Sequence, residues 1–194
     1  MIPEFNISSV LPPFVGASSA ERKGVSPYRC SSNELVERFA CSSERIQLLH
    51  GLLDYRADLQ KLGIIEGWQW LDGSFVEDVE RTQNRSPNDI DLATFARVPG
   101  TASQQKQFAL ENLYLFEPGA ARAKYGCDAY FIELGVRPQL LISDACYLQG
   151  LFSHQKQTHL WKGILQISLN TPEEDAAARL LLQQRTAQHR RGLC

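Results

Sequence analysis

The segment Asp89-Ile90-Asp91-Leu92 constrains this chain more than any other, because polar and apolar side chains alternate through it without a break. Successive strand residues face opposite sides of a sheet, so the pattern predicts a strand that turns Asp89 and Asp91 to one face and Ile90 and Leu92 into a core. Two carboxylates on one face repel each other, and a bound divalent cation relieves that repulsion. Two such cations about 4 Å apart can stabilise both the attacking and the leaving oxygen of an in-line phosphoryl displacement. The hard oxygen ligands suit magnesium, with manganese as the second choice.

Upstream, Gly67-Trp68-Gln69-Trp70-Leu71 is rich in strand-favouring residues, which places Gly73-Ser74 in the turn leaving a strand. Glycine there lets a backbone approach phosphate closely, and the serine hydroxyl can bond an oxygen or a metal-bound group. Trp68 and Trp70 share one face of this strand, a pattern of core packing more than of base stacking.

The order strand, Gly-Ser turn, polar spacer and Asp-x-Asp strand resembles the nucleotidyltransferase superfamily with the DNA polymerase beta-like fold. The signature reads here as Leu71-Asp72-Gly73-Ser74 and then Asp89-Ile90-Asp91, with Asp72 as an extra residue before the glycine and a slightly long, charged spacer. More narrowly, the chain resembles a small bacterial family of single-domain proteins within that superfamily. The similarity rests on Ile2-Pro3-Glu4-Phe5-Asn6, Leu11-Pro12-Pro13, the Asp72 to Asp91 core, Tyr125 to Phe131, and Trp161-Lys162-Gly163-Ile164.

This resemblance implies an α+β fold, a small mixed or antiparallel sheet flanked by helices, and a third carboxylate on a neighbouring strand. Asp128 is the expected third acid, opening the strand-like run Asp128-Ala129-Tyr130-Phe131-Ile132, either as a metal ligand or as the base that accepts a hydroxyl proton. Glu133 competes but falls on the opposite strand face. Lys162, beside Trp161, is the expected phosphate-holding cation, with Gly73 and Ser74 forming the nucleotide turn. Arg81 and Arg85 in the spacer are further phosphate candidates, although lone surface cations usually remain solvated.

The expected activity is transfer of a nucleoside monophosphate from a nucleoside triphosphate such as ATP to an acceptor hydroxyl, with release of pyrophosphate. The acceptor is left open among RNA, protein, a small molecule and another nucleotide. The alternative is an inactive nucleotide- or partner-binding module, such as one half of a toxin-antitoxin or phage-defence pair, with a neighbouring-gene protein as partner.

Composition bounds these readings. With 194 residues, 43% of them hydrophobic, the chain can bury one sizeable core. A net charge of -2 gives no whole-chain attraction to nucleic acid. No apolar run is long enough to span a bilayer and no signal segment opens the chain, so a cytoplasmic protein without membrane association is expected. Cys30, Cys41, Cys127, Cys146 and Cys194 match no zinc module and read as reduced thiols.

Residues 1–30, rich in Pro, Ser and Gly, predict an extended arm that can wrap a single domain formed by 31–194. Ser31 and Glu34 form a capping box for a short helix through Phe39, and Ser43 is the expected cap of a longer one ended by Gly63. A helix over 101–117 is expected to stop at Pro118-Gly119, another to run from Pro138 to Phe152, and a last strand to cover 163–169. Thr171-Pro172-Glu173-Glu174 opens a terminal helix over 172–190, with Arg185, Arg190 and Arg191 suiting its C-terminal end.

Overall fold

The computed structural model describes residues 1–190; Arg191 and Cys194, named above, lie outside them. The architecture is mixed α+β, with one five-stranded sheet flanked by helices. In chain order come β1 (Tyr28–Arg29), α1 (Ser32–Phe39), α2 (Ser43–Lys61), β2 (Gly67–Asp72), α3 (Val79–Gln83) and β3 (Ile90–Ala96). Then follow α4 (Ala102–Glu111), α5 (Leu113–Phe116), α6 (Pro118–Tyr125), β4 (Cys127–Glu133), α7 (Pro138–Phe152), β5 (Leu165–Ser168) and α8 (Pro172–Arg190).

The strand order is β1-β5-β2-β3-β4. The central strand β2 runs antiparallel to both of its neighbours, β5 and β3, while the outer pairs β1–β5 and β3–β4 are parallel. A parallel pair needs a crossover connection, and α4 to α6 supply it between β3 and β4.

Alternation along the strands divides the sheet into two faces. One carries Leu71, Ile90, Leu92, Cys127, Ala129, Leu165 and Ile167 into the main core, against α1, α2, α6 and α8. Arg56 of α2 is fully buried there without strain on its charge. Its guanidinium donates to Asp175 Oδ2 at 2.9 Å, Gln69 Oε1 at 2.7 Å, Ser168 O at 2.8 Å and Thr171 Oγ1 at 2.9 Å. All three of its nitrogens donate, as a buried cation requires, so α2, β2 and the β5–α8 junction are fastened at one point. The opposite face carries Trp68, Trp70, Ala93, Phe95, Tyr130 and Ile132, and α7 packs on it through Leu148 and Phe152. Trp68 stacks on Phe95, and Trp70 meets the same ring edge-on, so both tryptophans serve packing.

The N-terminal segment is built into this body. Val10 and Leu11 are buried, Val10 bridges Glu77, and the carbonyl of Leu11 accepts from Gly163 N at 2.8 Å. Three local expectations shift. Ser42, not Ser43, is the N-cap of α2, its side chain accepting from Arg45 N. The helix expected over 101–117 breaks at Asn112 into α4 and α5. Pro118 closes that stretch but also opens α6, with the Glu117 carboxylate accepting from Gly119 N and Ala120 N, because proline at a first helical position costs no hydrogen bond.

Candidate active site

Strand register gathers the acids. Antiparallel pairing sets Asp72 opposite Asp91, and parallel pairing sets Asp91 opposite Asp128, so three aspartates stand side by side across β2, β3 and β4. Directly opposed residues have Cβ atoms roughly 4.5–5.5 Å apart, within reach of one shared cation. Asp89 lies just before β3, and Ile90 and Leu92 point away into the core. Asp89, Asp91 and Asp128 are therefore brought together, and Asp72 joins them although the motif reading did not select it. Its signal was available: an acid that closes an apolar strand at even spacing from Trp68 and Trp70, immediately before a glycine.

Gly73 makes this closeness possible. Its φ is +75°, and a Cβ there would lie 1.7 Å from Asp91 Oδ2. Only glycine lets the Asp91 carboxylate rest against the turn. Gly73 and half-buried Ser74 begin a 3-10 turn, Gly73–Val76, which is held from below. Lys162 Nζ donates to the Gly73 carbonyl at 3.1 Å, and Arg45 donates to the carbonyls of Phe75 and Glu77, both at 2.7 Å. In a planar trans peptide the N–H points opposite the C=O, so the Ser74 amide faces away from Lys162.

Lys162 is 2% exposed and makes its shortest contact, 2.7 Å, with Glu77 Oε1. It lies beneath the turn and braces it, and does not project into solvent. Asp72, 4% exposed, has Oδ1 3.2 Å from the same ammonium, but outside hydrogen-bonding geometry, so this buried oxygen has no donor. Burial pushes the Asp72 carboxyl up to about 7, with Asp91 adding to the rise and Lys162 opposing it. Burial alone would lower Lys162; Asp72 and Glu77 outweigh it and hold the ammonium above the ordinary lysine range. Asp91 is pushed up to about 6, first by burial and then by Asp89 and Asp128. Asp128 is raised by burial and Asp89, against Arg122. Carboxylates that resist ionising together are what a cation site looks like before the cation's charge is added.

The remaining cations are placed differently. Arg122 of α6 reaches Asp89 Oδ2 at 2.7 Å, a contact with no counterpart in the motif. Arg81 bonds Asp78 at 3.2 Å and Arg85 bonds Gln83 at 2.8 Å, so both exposed spacer arginines are tied to their own loop. Glu133 accepts from Val98 N and Gly135 N and clamps the strand end, away from the acid row. A cavity of about 490 Å³ lined by Arg29, Ser31, Trp68, Ser168 and Glu174 lies at the other end of β2 and is separate from the aspartates.

Among the described residues, no group of three or more His, Cys, Asp or Glu side chains is arranged to hold a metal ion by itself. Magnesium rarely uses such a group; it is held through one or two carboxylates together with waters and substrate phosphates. Asp91 with Asp89 or Asp128, next to the unbonded Asp72 oxygen, fits that pattern. Cys30, Cys41, Cys127 and Cys146 are free thiols, and no helix among the described residues is long and apolar enough to cross a membrane.

Comparison with known proteins adds a family. Residues 3–168 match the model of a family of unknown function, DUF6932, and the chain belongs to that family. No curated protein and no solved structure gives a match.

Proposed function

We propose that the protein is a metal-dependent nucleotidyltransferase whose sheet follows the DNA polymerase beta-like pattern. The observation that carries this reading is the in-register row Asp72, Asp91 and Asp128, set against a glycine turn that only an absent side chain permits. Asp89, Asp91 and Asp128 would hold magnesium, which supplies positive charge at the phosphates of a nucleoside triphosphate. Gly73 and Ser74 cradle those phosphates with the backbone that Lys162 and Arg45 brace. The acceptor hydroxyl oxygen forms a bond to the α-phosphorus as the bond from that phosphorus to the bridging oxygen of the β-phosphate breaks. Pyrophosphate leaves with the electron pair, and the hydroxyl proton passes to Asp128 or a neighbouring water. Asp128 suits this task because burial, with Asp89, raises its proton affinity above that of an ordinary carboxylate. Alignment and charge neutralisation supply most of the rate in such transfers.

A second reading, a nucleotide- or partner-binding module without turnover, draws on the ion pair that already occupies Asp89. Incubation with each α-labelled nucleoside triphosphate, magnesium and total bacterial RNA or lysate separates the two. Label transfer that disappears in Asp91→Asn supports the enzyme; magnesium-dependent nucleotide binding with no transfer to any acceptor supports the module.

A further inference from the structure

Arg122 has no part in the turnover described above, yet it touches the acid row. Its guanidinium lies 2.7 Å from Asp89 Oδ2 while more than half of its side chain, 54%, is exposed. Helix α6 presents it from a fixed base: Glu117 caps the helix, and Ala121 and Tyr125 are buried. Other nearby cations are committed elsewhere. Lys124 bonds Asp58 at 3.0 Å and lies over the Tyr114 ring, and Lys162 is sealed beneath the turn.

We propose that Arg122 is a displaceable counterion that neutralises Asp89 in the nucleotide-free protein and binds the β- and γ-phosphates of the nucleotide, and afterwards pyrophosphate, once a divalent cation takes Asp89. The inference rests on the nucleotidyltransferase reading. A guanidinium and a metal ion compete for one carboxylate, and a planar fork released from a carboxylate matches a phosphate equally well. A half-exposed side chain on a rigid helix can make that exchange without moving the backbone.

The exchange requires opposite signs for two ligands. In Arg122→Ala, manganese binding to the nucleotide-free protein, followed by the electron paramagnetic resonance signal of the free ion, should tighten about two- to fivefold, because a competitor for Asp89 is gone. Binding of a non-hydrolysable triphosphate and of inorganic pyrophosphate, measured by calorimetry with magnesium present, should weaken about tenfold or more, because charge-assisted bonds are lost. Arg122→Lys should fall between, retaining charge but not the fork. A variant that binds metal and pyrophosphate like the parent, with only a lowered melting temperature, would make the pair structural and overturn the proposal. Failure of the parent protein itself to bind triphosphate would overturn the nucleotidyltransferase reading, and Arg122's role with it.

Discussion

Replacing Asp72 by Asn should flatten the dependence of stability on pH. Asp72 is raised from 3.8 to about 7 by burial in the folded protein, so its sign is the reverse of an ordinary surface carboxylate. Below pH 3.8 the group is protonated in both states and folding is indifferent to it. Between 3.8 and about 7 the unfolded chain has released the proton while the folded chain retains it, so stability falls as pH rises. Above about 7 the folded group is also ionised and the penalty is complete. At about 1.36 kcal/mol per pH unit, the gap amounts to on the order of 4 kcal/mol. Asparagine carries no such proton, so the variant should keep only the shallower slope due to groups such as Asp91. Urea unfolding at pH 5 and pH 8, followed by tryptophan fluorescence, gives the midpoints, with unchanged m-values certifying that stability alone is compared. Asp72→Asn should gain on the parent between pH 5 and pH 8 by a few kcal/mol. If the variant instead loses ground at pH 8, Asp72 is an ionised partner that stabilises Lys162, and the account of a strained buried acid is wrong.

Two further substitutions probe the same construction. Lys162→Met keeps the stem but leaves Glu77 and Asp72 buried without their cation, which should cost about 3–5 kcal/mol at pH 8 and less at pH 5, where Asp72 holds a proton; equal losses at both pH values would show that Asp72 does not titrate between them. Gly73→Ala should cost about 1–2 kcal/mol from the left-handed backbone alone. It should also push the Asp91 carboxylate aside, so manganese affinity should fall with it, and an unchanged affinity would remove Asp91 from the cation site.

Much of the fold could be read from local chemistry. The capping box at Ser31 and Glu34, the helix from Pro138 to Phe152 and the terminal helix opened by Pro172 follow from spacing and cap residues alone. Alternation in Asp89 to Leu92 likewise fixed which side chains enter the core. What eluded the sequence was non-local. Asp128 was expected through the resemblance, but Asp72 was not selected, and the place of both depends on which strands are neighbours and on their register: a one-residue slip would turn either to the other face. Pro118 misled because proline ends one helix and begins another with equal ease, and only the Glu117 cap distinguishes the cases. Lys162 stood out as a phosphate-holding cation, and its bracing contacts stayed hidden because its partners, Glu77 and Asp72, are far away in the chain.

The distribution of charge around the turn follows a single logic. Cations that stabilise the scaffold are buried behind the backbone: Lys162 and Arg45 hold carbonyls of the Gly73 turn, and each also carries a carboxylate, Glu77 or Glu80, that cancels its charge locally. Acids that could receive a ligand lie in front, where Asp72, Asp89, Asp91 and Asp128 share little compensation beyond Arg122 and the off-axis Lys162. A sheet selected only for stability would gain by replacing this row with apolar residues, since opposed like charges on neighbouring strands are destabilising. The surrounding core shows no shortage of apolar packing, with Leu71, Ile90, Leu92 and Ala129 buried on the other face of the same strands. The row is therefore a cost that the fold carries at one edge of an otherwise well-packed sheet, and such a cost is understandable where a cation and a phosphate are to supply the missing charge.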